Sequence, residues 1–161
     1  MAGTFSQIYL QIVFAVSGRR NILTKGLKEE VFKYIAGIIR NKGQKPLIVG
    51  GESDHIHILV GLRPNCLISD LVRDIKNNSS KFINQHLGRL NKFSWQTGYG
   101  VFSYSHDQIE NVYHYIENQE KHHQKKMFRE EYIEMLEQNK VEYDIKYLVD
   151  GDEDNFTPSG F

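Results

Sequence analysis

Polar and apolar residues alternate over residues 5–16, so that Ile8, Leu10, Ile12, Phe14 and Val16 share one face of an extended strand. The period then lengthens. Across 25–42, Leu27, Val31, Ile35, Ile38 and Ile39 form a helical stripe, with Thr24 at the N-cap position and Gly43 ending it. Residues 46–49 (Pro-Leu-Ile-Val) predict a second strand, interrupted by Gly50-Gly51. Residues 54–62 predict a third, and the short Glu52-Ser53 link predicts that the two pair as a hairpin. A second long helix is expected over 67–87, with Leu71, Val72, Ile75, Phe82, Ile83 and Leu87 on its buried face and Gly88 as its stop. Residues 95–103 read as a glycine-punctuated loop running into a fourth strand. Ser105 and Gln108 make a Ser-x-x-Gln capping box, which predicts a third helix running to about residue 122. A fourth helix is expected over 128–139.

This order predicts an α+β fold: a ferredoxin-like, RRM-like β-α-β-β-α-β sandwich with extra C-terminal helices. Such a fold packs its two crossover helices on one sheet face and leaves the other free, so function is expected on the free face. No internal repeat interrupts the pattern.

Composition narrows the classes without choosing among them. A chain of 161 residues with 40% hydrophobic and 25% charged residues fits one globular domain. Residues 1–20 lack the basic start and continuous apolar run of a secretory leader, and no apolar run approaches the roughly 18–20 residues that span a bilayer. The lone Cys66 excludes an internal disulfide and fits a reducing compartment. The expectation is a cytoplasmic protein with no membrane partner.

The formal net charge is zero, but it is unevenly spread. Residues 142–161 hold six acidic side chains and one basic one, Lys146, whereas 1–141 hold 19 basic against 14 acidic. The chain therefore divides into a moderately basic body at 1–141, read as a single catalytic domain, and an acidic C-terminal tail at 142–161. The tail is expected to be partly disordered, its last ten residues being acidic and then Gly/Pro/Ser-containing. The body could attract phosphates.

The stretch 54–60, Asp-His-Ile-His-Ile-Leu-Val, carries the first chemistry. On a strand His55 and His57 project from one face, while Ile56, Ile58 and Val60 project from the other. Two imidazoles on an accessible face can converge on one divalent ion. The pair alone is a weak signal, since surface histidines on a strand read the same way. A cupin would want a Glu shortly after the second His, and an amidohydrolase barrel would need a longer chain.

Tyr115 and Gln119 supply the second. Four residues apart on the third helix, they stack on one face. The Gln119 carbonyl can give a metal a third protein ligand, and Tyr115 can attack a phosphate held by that metal. Tyr113 is the competitor, but it lies about 200° around the helix and has no Gln four residues on.

With these motifs in hand, the chain resembles the single-tyrosine transposases of the His-hydrophobe-His superfamily, which belong to small insertion sequences that move as single strands. The resemblance covers about residues 5–140. Three segments carry it: Asp54-His55-Ile56-His57, Trp95-Gln96-x-Gly98-Tyr99-Gly100, and Tyr115-Ile116-x-Asn118-Gln119. It implies a transposase that cleaves and rejoins single-stranded DNA at the element ends. It further implies a Mg²⁺ or Mn²⁺ ion on His55, His57 and Gln119, and Tyr115 as the nucleophile forming a 5′-phosphotyrosine intermediate. Partners implied are single-stranded DNA with hairpin ends and a second copy of the chain, in a homodimer whose active site can be shared. The implied setting is bacterial, on the nucleoid during action. No nucleotide cofactor is expected, because the transfer conserves the phosphodiester energy and no Gly-x-x-x-x-Gly-Lys-Ser/Thr loop occurs.

Other assignments are softer. Asp54 either orients a histidine as an acceptor behind it or simply starts the strand. Arg73, Lys76, Asn77, Ser79, Ser80 and Lys81 could meet DNA phosphates, as could Lys121, His122, His123, Lys125, Lys126 and Arg129; both groups read equally as solvated faces. Trp95 and Tyr99 could stack on bases or pack in the core. Two rival functions remain: a non-transposing single-stranded nucleic-acid-binding module of the same fold, and an unrelated metal hydrolase built on His55 and His57.

Overall fold

The computed structural model describes residues 3–88, 92–121 and 126–148. The frayed end expected at 152–161 lies outside them, as do His122, His123 and Lys125. The elements run β1 (Tyr9–Ala15), α1 (Lys25–Asn41), β2 (Lys45–Glu52), β3 (His55–Gly61), α2 (Ile68–Leu87), β4 (Gly100–Tyr104), α3 (Ile109–Glu117) and α4 (Phe128–Gln138). Four strands form an antiparallel sheet in the order β2-β3-β1-β4, the ordering that the split β-α-β-β-α-β arrangement requires. No helix among the described residues is long and apolar enough to cross a membrane.

One sheet face behaves as the alternation predicts. Leu10, Ile12, Phe14, Ile56, Ile58 and Val60 meet Val31, Ile35 and Ile39 of α1 and Leu71, Val72, Ile75 and Ile83 of α2. Gly88 stops α2 at φ 76°, a conformation that glycine adopts without steric cost.

The other face is not free. Val13, Ala15 and Phe102 are covered by Phe128, Tyr132, Met135 and Leu136 of α4. Leu59 is covered by Val112 and Ile116 of α3. The physical cause is visible in the central strands: Ile12 to Val16 and Ile58 to Val60 are unbroken apolar runs, as befits strands buried on both sides. Two amphipathic helices were available to cover them.

Gly50-Gly51 does not interrupt β2, which continues through both to Glu52. Gly50 pairs with His57 and Gly51 with Ile56. A Cβ on Gly50 would meet Ile116 Cγ2 at 2.7 Å and the Ile116 carbonyl oxygen at 2.8 Å. The absent side chain lets α3 close directly over the histidine strand. The start of the acidic segment also packs on the body, where Leu148 is buried and its carbonyl accepts from Gln96 Nε2 at 2.8 Å.

Candidate active site

His55 and His57 share a face of β3, as the strand period requires, and both are 0% exposed. The expectation of an accessible face is therefore corrected: α3 and α4 roof the pair over. Phe128 of α4 stacks on His55 at 4.3 Å between ring centroids and 16° between planes. Tyr115 of α3 meets His57 edge-on at 5.9 Å. The two imidazoles stand 5.1 Å apart.

Each ring is held through Nδ1. The Asp54 carboxylate, which can only accept, takes the Nδ1–H of His55 at 2.7 Å. The Asp54 main-chain carbonyl separately accepts from Val16 N–H, so strand start and ring orientation coexist in this residue. His57 Nδ1 lies 2.7 Å from Gln11 Oε1, while Gln11 Nε2 donates to the Tyr104 hydroxyl at 2.9 Å. With its amide nitrogen turned to Tyr104, Gln11 presents its carbonyl to accept from His57 Nδ1–H. Both rings are thereby set with Nε2 facing inward, the tautomer suited to ligating a metal.

Two oxygens meet those inward nitrogens. Gln119 Oε1 lies 2.8 Å from His55 Nε2, and Glu131 Oε1 lies 2.7 Å from His57 Nε2. A protonated imidazole would donate from Nε2 to its oxygen, whereas a neutral one sets lone pair against lone pair; a bound cation takes the place of those protons. Gln119 and Glu131 are both buried, and the Tyr115 hydroxyl is a polar neighbour of each. Donor atoms of His55, His57 and Glu131 all lie within 4.8 Å of one another. The chemistry of the set, imidazole nitrogens with oxygen donors, fits a divalent ion.

Gln119 reaches the site by a route that the sequence pattern did not predict. The expected continuous helix breaks at Asn118, where α3 ends and the backbone turns to φ −97°, ψ 22°. The His114 carbonyl accepts from both the Asn118 N–H at 3.0 Å and Asn118 Nδ2 at 2.8 Å, closing the last turn of α3. Residues 119–121 are helical again.

Tyr115 is half-buried, at the edge of a cleft of about 240 Å³ lined by Gln11, Tyr104, Asn111, Glu131 and Glu134 among others. Burial first, then the negative charge of Glu131, push its phenol above the ordinary value. Burial alone would raise the Glu131 carboxyl too. Hydrogen bonding and charge from His57, the charge of His55 and the Tyr115 hydroxyl outweigh it and hold the group down to about 2. Tyr113 is only partly buried, beside Val112 and Ile116.

Glu131 was missed in the sequence. Its signal was positional: it occupies a place on the apolar stripe Phe128, Tyr132, Met135, Leu136, where a carboxylate has no packing reason to be.

The candidate DNA contacts are scattered. Helix α2 packs on the sheet face opposite the histidines. Arg73 lies 3.2 Å from Asp70 and 3.5 Å from Asp74, and Ser80 hydrogen-bonds the Asn77 carbonyl. Lys76 is half-buried and donates to the Gln96 and Gly98 carbonyls at 2.8 and 2.6 Å; burial lowers it to about 8. Ser79 is buried and accepts from Trp95 Nε1 at 2.9 Å, with Trp95 itself in the core against Phe14 and Phe93. Lys81 and Lys121 are exposed, Arg129 is half-buried, and Lys126 pairs with Glu134. Tyr99 stays accessible, with the Lys76 ammonium 5.8 Å from its ring centre.

Residues 4–119 match a family described as Transposase IS200 like. No curated protein matches. A solved chain from Deinococcus radiodurans R1, described as a transposase, is similar over 74% of this chain and 95% of its own, with a TM-score of 0.60 and 22% identity. The structure of a REP-associated tyrosine transposase bound to a REP hairpin is similar over 76% of this chain and 74% of its own, with a TM-score of 0.56 and 16% identity. At these identities the two structures speak to the fold.

Proposed function

Because this chain belongs to the IS200-like transposase family, we propose that it cuts and rejoins single-stranded DNA with Tyr115 as nucleophile, beside a divalent ion held by His55, His57 and Gln119. The observation that carries the reading is the pair of imidazoles locked at Nδ1, with each Nε2 turned toward an oxygen donor. Mg²⁺ and Mn²⁺ are the ions that this reading favours. When bound, such an ion would polarise a phosphoryl oxygen and offset charge that grows as the phosphate is attacked.

The protein groups divide the remaining work. Asp54 and Gln11 fix the two ring orientations. The Tyr115 oxygen attacks phosphorus, a new phenol–phosphate bond forms, and the bond to the DNA 3′ oxygen breaks. The phenol proton is released and a proton is taken up by the departing 3′ oxygen, which leaves as a hydroxyl, so the step is balanced and needs no cofactor. Rejoining is the reverse: a 3′-hydroxyl attacks the phosphotyrosine and the phenol is restored. The cleft beside Tyr115 is the natural approach for the strand.

A second copy of the chain is one partner proposed, in a homodimer whose active site can be shared between subunits. A single-stranded substrate with hairpin ends is the other. It is supported by the similarity to a fold solved on a REP hairpin and by the net positive charge of residues 1–141. The test is incubation with single-stranded oligonucleotides from the sequence flanking its own gene, with Mg²⁺ or Mn²⁺. Strand cleavage is expected, and Tyr115→Phe should abolish it while DNA binding persists. Cleavage that survives Tyr115→Phe would favour a metal hydrolase instead.

A further inference from the structure

Glu131 lies outside the segment that matches the family, on helix α4. Glu131 is 3% exposed, a depth at which glutamate is rarely found without a charged partner. Its Oε1 sits 2.7 Å from His57 Nε2, and the Tyr115 hydroxyl is a further polar neighbour. An imidazole nitrogen and a carboxylate oxygen brought this close are placed as two ligands directed at a common centre would be. Helix α4 is firmly anchored around this point: Phe128 stacks on His55, and Tyr132 occupies the space that a Cβ on Gly100 would fill, its hydroxyl 2.7 Å from that position.

We propose that Glu131 is a further protein ligand of the divalent ion, delivered by α4, so that ion binding and the docking of α4 are coupled. The proposal rests on the reading that His55 and His57 hold such an ion. Two imidazoles and an amide form a neutral set, and hard cations such as Mg²⁺ and Mn²⁺ favour anionic oxygen. Glu131 supplies that charge. A carboxylate beside two imidazoles also explains why a helix outside the matched segment should bury an acidic residue on its apolar stripe. Metal-ion binding would then tie the C-terminal helix to the face that carries Tyr115.

The experiment is Mn²⁺ binding to the full chain, followed by electron paramagnetic resonance, with Glu131→Gln and His57→Ala compared with the unaltered protein. Glu131→Gln should weaken binding by at least about tenfold, the loss typical even of groups that only orient a ligand. His57→Ala should weaken it further. Hydrogen exchange of 128–138 in the unaltered chain supplies a readout that needs no substitution: added Mn²⁺ should slow it. Equal or tighter binding by Glu131→Gln, or exchange that Mn²⁺ leaves unchanged, overturns the role of Glu131. If His57→Ala also binds normally, the ion site on the histidines is itself wrong, and the two failures are told apart.

Discussion

The Ile116 side chain occupies the space above Gly50, with Cγ2 2.7 Å from where a Cβ would stand. This contact seats α3 on β2 directly opposite His57 and so sets the height of Tyr115 above the histidines. Gly50→Ala should therefore displace the tyrosine helix. Overpacking of this kind costs about 1–3 kcal/mol, measurable by urea denaturation, and DNA cleavage should fall by more than the stability loss explains. An alanine variant that cleaves normally would show that α3 is not positioned by this contact.

Asp54 holds the His55 ring through a 2.7 Å bond to Nδ1. Asp54→Asn keeps the shape and removes the charge that fixes the tautomer. Metal affinity should drop about 10- to 100-fold, the usual cost of losing an acceptor behind a ligating histidine. Calorimetric titration with Mn²⁺ measures it, and unchanged affinity would reduce Asp54 to its main-chain role at the strand start.

Lys76 offers a contrast between charge and structure. Its ammonium donates to two loop carbonyls, at Gln96 and Gly98. Lys76→Ala should destabilise the fold by about 1–3 kcal/mol by leaving those acceptors unpaired. The salt dependence of DNA binding should keep its slope, because this side chain would release no counterion. A slope reduced by about one would instead identify Lys76 as a phosphate contact.

Acid should weaken the metal-free protein through Glu131. Its folded value of about 2 lies below the ordinary 4.5. A group depressed in this direction contributes stability that is present above its unfolded value and lost as the pH falls through the folded one. Stability should thus decline between pH 4.5 and 2, with Glu131→Gln flattening that limb in denaturation curves. Identical acid limbs for the two proteins would contradict the buried ion pair.

Much of this was legible in the residues, and the misses have physical causes. Alternation and helical stripes placed β1, α1, β3 and α2 closely, because each has one face in the core beneath α1 and α2. The spacing of His55 and His57 gave their shared face directly from the strand period. What periodicity could not convey was the second layer. Residues such as Val13, Ala15 and Leu59 looked like the wet side of a sheet until α3 and α4 were seen to lie on them. Gly50-Gly51 read as a break because its purpose is a contact with Ile116, 66 residues downstream in the sequence. The turn at Asn118 that ends α3 is concealed by the smooth four-residue spacing of Tyr115 and Gln119. Glu131 was hidden for a different reason: on a helix rich in acidic residues, one buried carboxylate cannot be told from its solvated neighbours by composition.

In the proposed reaction Tyr115, and not one of the other eight tyrosines, becomes joined to DNA. The most direct measurement is mass spectrometry of peptides from the protein–DNA adduct trapped on a single-stranded end oligonucleotide with Mg²⁺ present. A nucleotide remnant on the peptide carrying Tyr115, lost in Tyr115→Phe, is the result predicted. An adduct on Tyr113 or any other residue, or efficient cleavage with no adduct, would contradict it.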